Sequence, residues 1–261
     1  MVRRALTVLA VALAAALSAG CASLPVIGDG SAGTAAEAQS ILERANAAAA
    51  ELESMSMQMR MHGSVAGEEF TMTMRGGSYL RGDRIGDGVY EAALEGAGLG
   101  AVSYRMVLLD GAIWADMGTG WTALPGPGLT DEQLQELSAS PLDVVDIVRD
   151  IRVEKNTTFL GEPVTKIAAT ISAQDALDAV FGQLGDDLGS LGVTALPEDV
   201  LDGLGDIRVV IYVSDETGLV RAVHEELSLE LEGQSMSMTL DLTVTGVDEE
   251  IAIPDPTGPS A

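Results

Sequence analysis

The sequence has a single cysteine, Cys21, so the chain can form no intrachain disulfide. Aromatic residues make up only 3% of the 261 residues, and 14 lysines and arginines stand against 40 aspartates and glutamates. The formal net charge of −26 argues against nucleic acid as a partner, because phosphates select basic surfaces. It also argues against adhesion of the domain surface to anionic lipid, and it favours solubility.

Residues that commonly carry chemistry are also scarce. The two histidines, His62 and His224, occur in no metal-binding or catalytic-triad signature, and we expect both to face solvent. The sequence has no G-x-S-x-G motif, no P-loop and no dinucleotide-binding fingerprint. The acidic stretch from Asp83 to Asp87 lacks the spacing of a calcium-binding EF-hand. We therefore predict that the protein is not an enzyme and that it uses no cofactor or metal.

The N-terminus has the parts of an export signal: two arginines, an uncharged apolar run from Ala5 to Leu17, and small residues before Cys21. The apolar run is shorter than the roughly 20 residues of a membrane-spanning helix. The cysteine matches the bacterial lipobox, with Ser18 where leucine is usual. We predict a lipoprotein signal peptide at 1–20, cleavage before Cys21, and an extracytoplasmic protein anchored to the cell membrane by lipid on Cys21. The alternative is an ordinary secretory signal followed by a free thiol.

The rest of the chain divides into three parts by composition. Residues 21–33 are rich in Gly, Ser and Ala, which predicts a flexible tether after the lipidated cysteine. Residues 34–253 carry the periodic apolar patterns and are long enough for one core, which predicts a single domain. Residues 254–261 are rich in proline and are expected to form a tail.

Helical periodicity begins after the tether. Thr34 and Glu37 form a potential capping box, and apolar residues then recur at helical spacing, which predicts a helix from about Ala35 to Ser54. Further helices are predicted at Thr130–Ser138, at Pro141–Asp150, and from a cap at Ser172 to about Leu184.

Period-two alternation dominates elsewhere. From Met55 to His62, methionines alternate strictly with polar residues, which is typical of a half-buried strand. The same pattern predicts strands over Met55–His62, Phe70–Arg75, Ser78–Arg84, Val89–Leu94, Val102–Leu109, Ala112–Ala115, Trp121–Leu124, Ile151–Lys155, Pro163–Ile171, Asp206–Val213, Leu219–Leu231 and Ser235–Val247. We therefore predict an α+β fold in which helices pack on one face of a large curved antiparallel sheet.

This layout resembles the LppX/LprG type of actinobacterial lipoprotein, which is similar in turn to the LolA/LolB carriers. The local similarities are Asn156–Ile171, with Gly161 before a strand, the sequence from Tyr212 to Arg221, and the closing segment from Glu249 to Pro254. The resemblance implies an antiparallel half-barrel wrapped over helices, with an apolar cavity that binds acylated lipids or lipoproteins.

If such a cavity exists, the apolar rows of the strands are the expected lining. The residues are Met55, Met57, Met59, Met61, Phe70, Met72, Met74, Leu229, Leu231, Met236, Met238 and Leu240. Methionine is flexible enough to pack around a disordered acyl chain. The same alternation is also typical of an ordinary packed core, and the residues alone leave both interpretations open.

Three arginines, Arg75, Arg81 and Arg84, cluster near one hairpin of the acidic chain. They are candidates for holding a lipid phosphate at a cavity mouth. The alternative is that they pair with neighbouring acids such as Asp83 and Asp87.

Two functional hypotheses follow. The first is an envelope lipoprotein that binds an acylated lipid or other hydrophobic ligand and carries or presents it. The second is a tethered acidic scaffold or sensor that binds another envelope protein and has no lipid cargo.

Overall fold

The computed structural model describes residues 32–65, 67–96, 100–124, 148–172, 204–231 and 234–257. For residues 32, 33, 65, 204, 229–231 and 234–236 it describes the backbone alone. The described residues contain one α-helix, α1 (Ala32–Ala49), one short 3-10 helix (Gly82–Arg84) and eleven strands. The strands are β1 (Ser54–Val65), β2 (Glu68–Tyr79), β3 (Gly88–Gly96), β4 (Val102–Leu109), β5 (Ala112–Asp116), β6 (Trp121–Ala123), β7 (Val148–Phe159), β8 (Glu162–Ser172), β9 (Leu204–Ser214), β10 (Val220–Leu231) and β11 (Gln234–Val247).

All eleven strands belong to one antiparallel sheet, in the order β6-β5-β4-β3-β2-β1-β11-β10-β9-β8-β7. Strands that are adjacent in the sheet are also consecutive in sequence, except at the centre, where β1 pairs with β11; β6 and β7 form the two edges. Two of the tight turns have the positive backbone φ angles that are common in β-hairpins. Asp110 and Gly111 both have positive φ between β4 and β5, and so do Leu160 and Gly161 between β7 and β8. The predicted large, curved antiparallel sheet is confirmed.

The two faces of the sheet follow from the alternation along β1. Met57 and Met59 lie on the face against which α1 packs, which we call the inner face, and Gln58 and Arg60 are exposed on the opposite, outer face. Pairing extends this division across the sheet. For example, Met59 lies opposite Leu242 of β11 and Met74 of β2. Apolar side chains therefore form continuous rows across the inner face.

The helix covers one part of the inner face. Its buried stripe, in which alanines alternate with larger residues, packs with aliphatic residues of β7 to β11 and with Met57. We call this the aliphatic cluster. Its fully or nearly buried members are Ala35, Ala38, Ile41, Leu42, Ala45, Met57, Val148, Ile151, Ile167, Val209, Ile211, Val213, Val220, Val223 and Leu242. Small alanine side chains let the helix approach the sheet closely.

A second cluster lies beside it on the inner face and is built mainly from methionine. Met59, Met61 and Leu240 form its buried part, and Phe70, Met72, Met74 and Met238 pack against them half-buried. We call these seven residues the methionine cluster.

After β11 the chain folds back over the outer face. The Tyr79 hydroxyl accepts a hydrogen bond from the Ile251 amide at 3.0 Å, and the Ser54 hydroxyl donates to the carbonyl of Glu249 at 2.7 Å. Ile251 is buried against Gly77, where a Cβ atom would come within 3.1 Å of its Cδ1. Glycine at position 77 therefore makes room for the closing segment.

Three local predictions were wrong. The helix α1 begins at Ala32, so Thr34 lies inside the helix and does not precede it as a cap. The helix ends at Ala49 and not at Ser54, because Ser54 already pairs with Tyr79 in the sheet. The predicted strand Ser78–Arg84 is interrupted: β2 ends at Tyr79, and a short 3-10 helix spans Gly82–Arg84, where Gly82 has a φ of +78°.

The predicted helix Pro141–Asp150 is also wrong at its end, because β7 begins at Val148, whose side chain packs in the aliphatic cluster. The other residues of that prediction, together with the helices expected at Thr130–Ser138 and from Ser172 to Leu184, lie outside the described residues, apart from Ser172 at the end of β8.

Candidate functional site

The predicted lining residues come from four adjacent strands at the centre of the sheet, β2, β1, β11 and β10. Those of β1 pair with β2 on one side and with β11 on the other, so that Met61 lies between Met72 and Leu240. In the next pair along, Leu227 of β10 lies opposite Met238. The register also places Leu229 opposite Met236 and pairs Leu231 with Gln234. The side chains of Leu229, Leu231 and Met236 lie outside what the structure describes.

The predicted lining residues differ in their burial. Met59 and Met61 are each 2% exposed, which makes them core residues. Met55, Phe70, Met72, Met74 and Met238 are only half-buried. The methionine cluster therefore has a packed floor on β1 and a more accessible part on β2. Met59 and Met61 are thus buried as core residues are, and the half-buried residues are the predicted lining residues that a ligand could reach.

An acidic side chain interrupts the apolar rows. Glu225 of β10 pairs with Leu240 of β11 on one side and with Val209 of β9 on the other, and both partners are buried. Leu240 belongs to the methionine cluster and Val209 to the aliphatic cluster. The register thus places Glu225 on the inner face at the border between the two clusters.

Glu225 has an unusual environment for a carboxyl group. Only 9% of the residue is exposed, and among the described residues none donates a hydrogen bond to it. Burial raises the pKa of Glu225 to about 7, with a smaller opposing effect from the charge of His224. Removal of a carboxylate from water without a partner favours its neutral form.

Sequence reasoning missed this residue, although the signal was present. The row Leu227, Leu229, Leu231 continues backwards with period two to Glu225 and Val223. A glutamate inside an apolar row of a long strand is the pattern that identifies a buried carboxyl group.

His224 and His62 lie on the outer face. The Nδ1 atom of His224 is 2.7 Å from a carboxylate oxygen of Asp241, and its Nε2 atom is 3.4 Å from Glu226. The hydrogen bond with Asp241 is the main cause that raises the pKa of His224. His62 is exposed beside the hydroxyl of Thr71, at 3.2 Å. Within the described residues, no group of histidine, cysteine and acidic side chains is arranged to hold a metal ion.

The three arginines are each held by a carboxylate. Arg75 lies on the outer face and pairs with Glu91 at 2.5 Å. Arg81 pairs with Glu51 at 3.2 Å. Arg84 lies 3.6 Å from Asp87 and 4.0 Å above the ring of Tyr79.

A cleft of about 340 Å³ lies between α1 and the adjoining ends of β7, β8 and β9. Its lining is largely polar. Glu37 of the helix forms an ion pair with Lys155, and the Thr165 hydroxyl donates to Asp215 at 2.7 Å. Because these groups satisfy one another, the cleft offers little to an apolar ligand.

The predicted signal peptide and Cys21 lie outside the described residues. In the part of the chain that is described, no helix is both long enough and apolar enough to cross a membrane.

No protein-family model and no curated protein matches the chain. Among solved structures the chain is similar to LprF from Mycobacterium bovis, with a TM-score of 0.52 and 16% identity over 85% of this chain and 98% of that one. It is also similar to the lipoprotein LppX of Mycobacterium tuberculosis (TM-score 0.46, 14% identity, 82% of this chain and 97% of that one). The MucA/MucB complex of Pseudomonas aeruginosa matches at a TM-score of 0.34 and 17% identity, over 79% of this chain and 57% of that one.

At 16% identity, the likeness to LprF is a likeness of fold. It agrees with what the sequence layout predicted from the helix, the long meander and the closing hairpin. The chain therefore has an LppX/LprG-type lipoprotein fold.

Proposed function

We propose that the protein is an envelope lipoprotein, anchored to the membrane through Cys21, which binds an acylated lipid or another hydrophobic ligand and carries or presents it. The observation that carries this proposal is the methionine cluster, with its buried floor and half-buried rim, on the inner face of a fold shared with a lipoprotein. The expected binding residues are those of the cluster, with Met55, Met57, Leu229, Leu231 and Met236 extending its rows.

The energetics require a large apolar surface. Each buried CH₂ group contributes about 0.8 kcal/mol, so a chain of about 16 carbons gains roughly 12 kcal/mol either in a bilayer or in a protein. Only an extended apolar surface matches the bilayer. Rows of methionine across β1, β2 and β11 offer such a surface.

The same energetics argue against a rigid empty cavity. At about 24 cal/mol per Å³, a dry cavity of ~1,000 Å³ costs more than the ~5–15 kcal/mol stability of a typical domain. Unbranched methionine side chains can repack when a ligand leaves. We expect the half-buried residues Met72, Met74 and Met238 to fill the space without ligand and to move aside when it binds.

The arginines are not needed for this proposal, because Arg75, Arg81 and Arg84 already pair with acids of the chain. A phosphate headgroup would have to displace those carboxylates.

The decisive test is native mass spectrometry with lipid extraction on the full-length protein purified from membranes. A bound diacyl or triacyl lipid at one copy per chain is the expected result. A mass without lipid would contradict the proposal and favour the tethered scaffold or sensor.

Two tryptophan substitutions locate the binding surface. Met72→Trp, at a half-buried position, should lower lipid uptake with little loss of stability. Met59→Trp, at a position 2% exposed, should cost roughly 1–3 kcal/mol of stability because it overpacks the core. Thr73→Trp and Gln58→Trp are matched controls, since they lie on the outer face of the same strands. Equal lipid uptake by Met72→Trp and Thr73→Trp would show that β2 does not line the site.

A further inference from the structure

The inner face of the central strands carries one buried acidic side chain. In the inner rows of β8, β9, β10, β11, β1 and β2, as far as the structure describes them, Glu225 is the only Asp, Glu, Lys or Arg that is buried. Glu68, which lies opposite Val65 at the start of β2, is exposed. Its neighbours on the same strand are Val223 and Leu227, and its cross-strand neighbours are Val209 and Leu240. Since folding buries this carboxyl among aliphatic groups, it lowers stability unless something else compensates.

The chain offers Glu225 no cation. Among the described residues no lysine or arginine pairs with it, and the ring of its neighbour His224 is bound to Asp241 on the outer face. The remaining segments of the sequence contain no lysine, arginine or histidine apart from Arg3 and Arg4 of the predicted signal peptide. A cationic partner of the carboxyl must therefore come from outside the domain, and among the described residues none supplies a hydrogen bond to it.

The chemistry of that partner is restricted. An anionic group is repelled by the carboxyl and by a chain whose net charge is −26. A cationic group would have to lose its own hydration at an apolar site, which offsets much of the attraction. A hydroxyl group has a small desolvation cost, and it can hydrogen-bond both the ionised and the protonated carboxyl.

We infer that Glu225 is a ligand-binding residue whose carboxyl group hydrogen-bonds a free hydroxyl of an otherwise apolar, uncharged acyl lipid. This inference rests on the proposed function and specifies its ligand class. The hydroxyl lies at the border of the two clusters, and the acyl chains extend from it over the methionine cluster. The raised pKa of Glu225 agrees with this, because a neutral ligand tolerates either protonation state.

The test compares two lipids that differ only in the hydroxyl. The probes are dioleoylglycerol and its O-acetyl ester, offered in equal amounts to the full-length protein, with bound lipid quantified by native mass spectrometry. We expect the wild-type protein to prefer dioleoylglycerol by about tenfold, as the loss of one hydrogen bond to a carboxyl group implies. Glu225→Leu should bind both probes equally, because it makes the apolar row continuous. Glu225→Gln should keep most of the preference, because its amide oxygen accepts the same hydrogen bond.

Glu226→Gln is the matched control, since Glu226 lies next to Glu225 on the same strand but is exposed on the outer face. It should retain the full preference. Thermal unfolding of each variant shows that the fold is intact. Equal binding of both probes by the wild-type protein, or binding of neither probe by a protein that still co-purifies with lipid, would overturn the inference while leaving lipid binding in place. Binding of neither probe together with no co-purified lipid would overturn the proposed function as well. A Glu225-dependent preference for oleylamine over dioleoylglycerol would overturn the hydroxyl assignment in favour of a cationic ligand.

Discussion

The aliphatic cluster and the methionine cluster occupy the same face of one sheet and follow the same period-two pattern, yet they differ in chemistry. Branched residues such as Ile167 and Val223, together with the alanines of α1, pack in the aliphatic cluster. Unbranched methionines make up most of the other cluster, and over half of its members remain half-buried. Branched side chains have few rotamers and specify one packing, whereas methionine adapts to several. We conclude that the aliphatic cluster provides stability and that the methionine cluster provides adaptability.

The largest loss of stability is expected when a large side chain is removed from the aliphatic cluster. Leu42, at 2% exposure, packs between α1 and the sheet. Leu42→Ala should lower the free energy of unfolding by about 2–5 kcal/mol in urea denaturation, because it leaves a cavity that a rigid surrounding cannot fill. Met72→Ala should cost clearly less, since that site is half-buried and its neighbours can repack. A loss for Met72→Ala as large as for Leu42→Ala would remove the distinction between the clusters.

Glu225, at the border between the clusters, should make the stability of the protein depend on pH. Glu225 has an ordinary pKa of 4.5 when unfolded and about 7 when folded, so between these values the folded protein binds more protons than the unfolded chain. The free energy of unfolding therefore falls by about 3 kcal/mol as pH rises from 4.5 to about 7. Above pH 7 the contribution of Glu225 no longer changes. The measurement is urea denaturation at a series of pH values. Glu225→Gln should remove the decrease.

His224 acts in the same direction, and the comparison of variants separates the two groups. Because the hydrogen bond that the His224 ring donates to Asp241 raises the pKa of His224, the stability contributed by His224 is full below pH 6.5 and is lost as pH rises through the raised pKa. This decrease should persist in Glu225→Gln. An unchanged pH profile in that variant would show that Glu225 is not buried as described.

The smallest expected effect lies on the outer face. Arg75 and Glu91 form an ion pair in which both side chains are largely exposed. Arg75→Gln should change stability by less than about 1 kcal/mol and leave lipid uptake unaltered. Glu91→Gln is the control for the loss of the pair itself. If Arg75→Gln alone reduced lipid uptake, the arginine would have the headgroup role that the sequence first suggested.

Much of the fold could be predicted from local sequence patterns. The strict alternation from Met55 to His62 identified β1, and the break between the predicted strands Val102–Leu109 and Ala112–Ala115 falls at Asp110 and Gly111, which have positive φ. The errors occurred where tertiary packing overrides a local signal. Val148 was assigned to a helix, but in the sheet it packs against the aliphatic cluster. Thr34 has the side chain of a cap, yet helix-favouring alanine at position 32 starts the helix earlier.

The candidate site was only partly predictable. The sequence grouped the methionines on one face, because that depends on period two alone. The sequence could not show which methionines are fully buried and which are half-buried. Their burial depends on the pairing of β1 residues such as Met57 and Met61 with β11, which lies far away in the sequence. Glu225 was missed because the apolar row Leu227, Leu229, Leu231 was not extended backwards through it to Val223.

The central pairing of β1 with β11 has a consequence for how the molecule forms. Strands β1 to β6 and strands β7 to β11 are each meanders of sequence neighbours, and one long-range pairing joins them. Hairpins of neighbouring strands form quickly, whereas contacts across a long loop are slow. For a chain that crosses a membrane N-terminus first, β11 is the last strand to emerge. The methionine cluster takes residues from both β1 and β11, so it is complete only when β11 has joined the sheet.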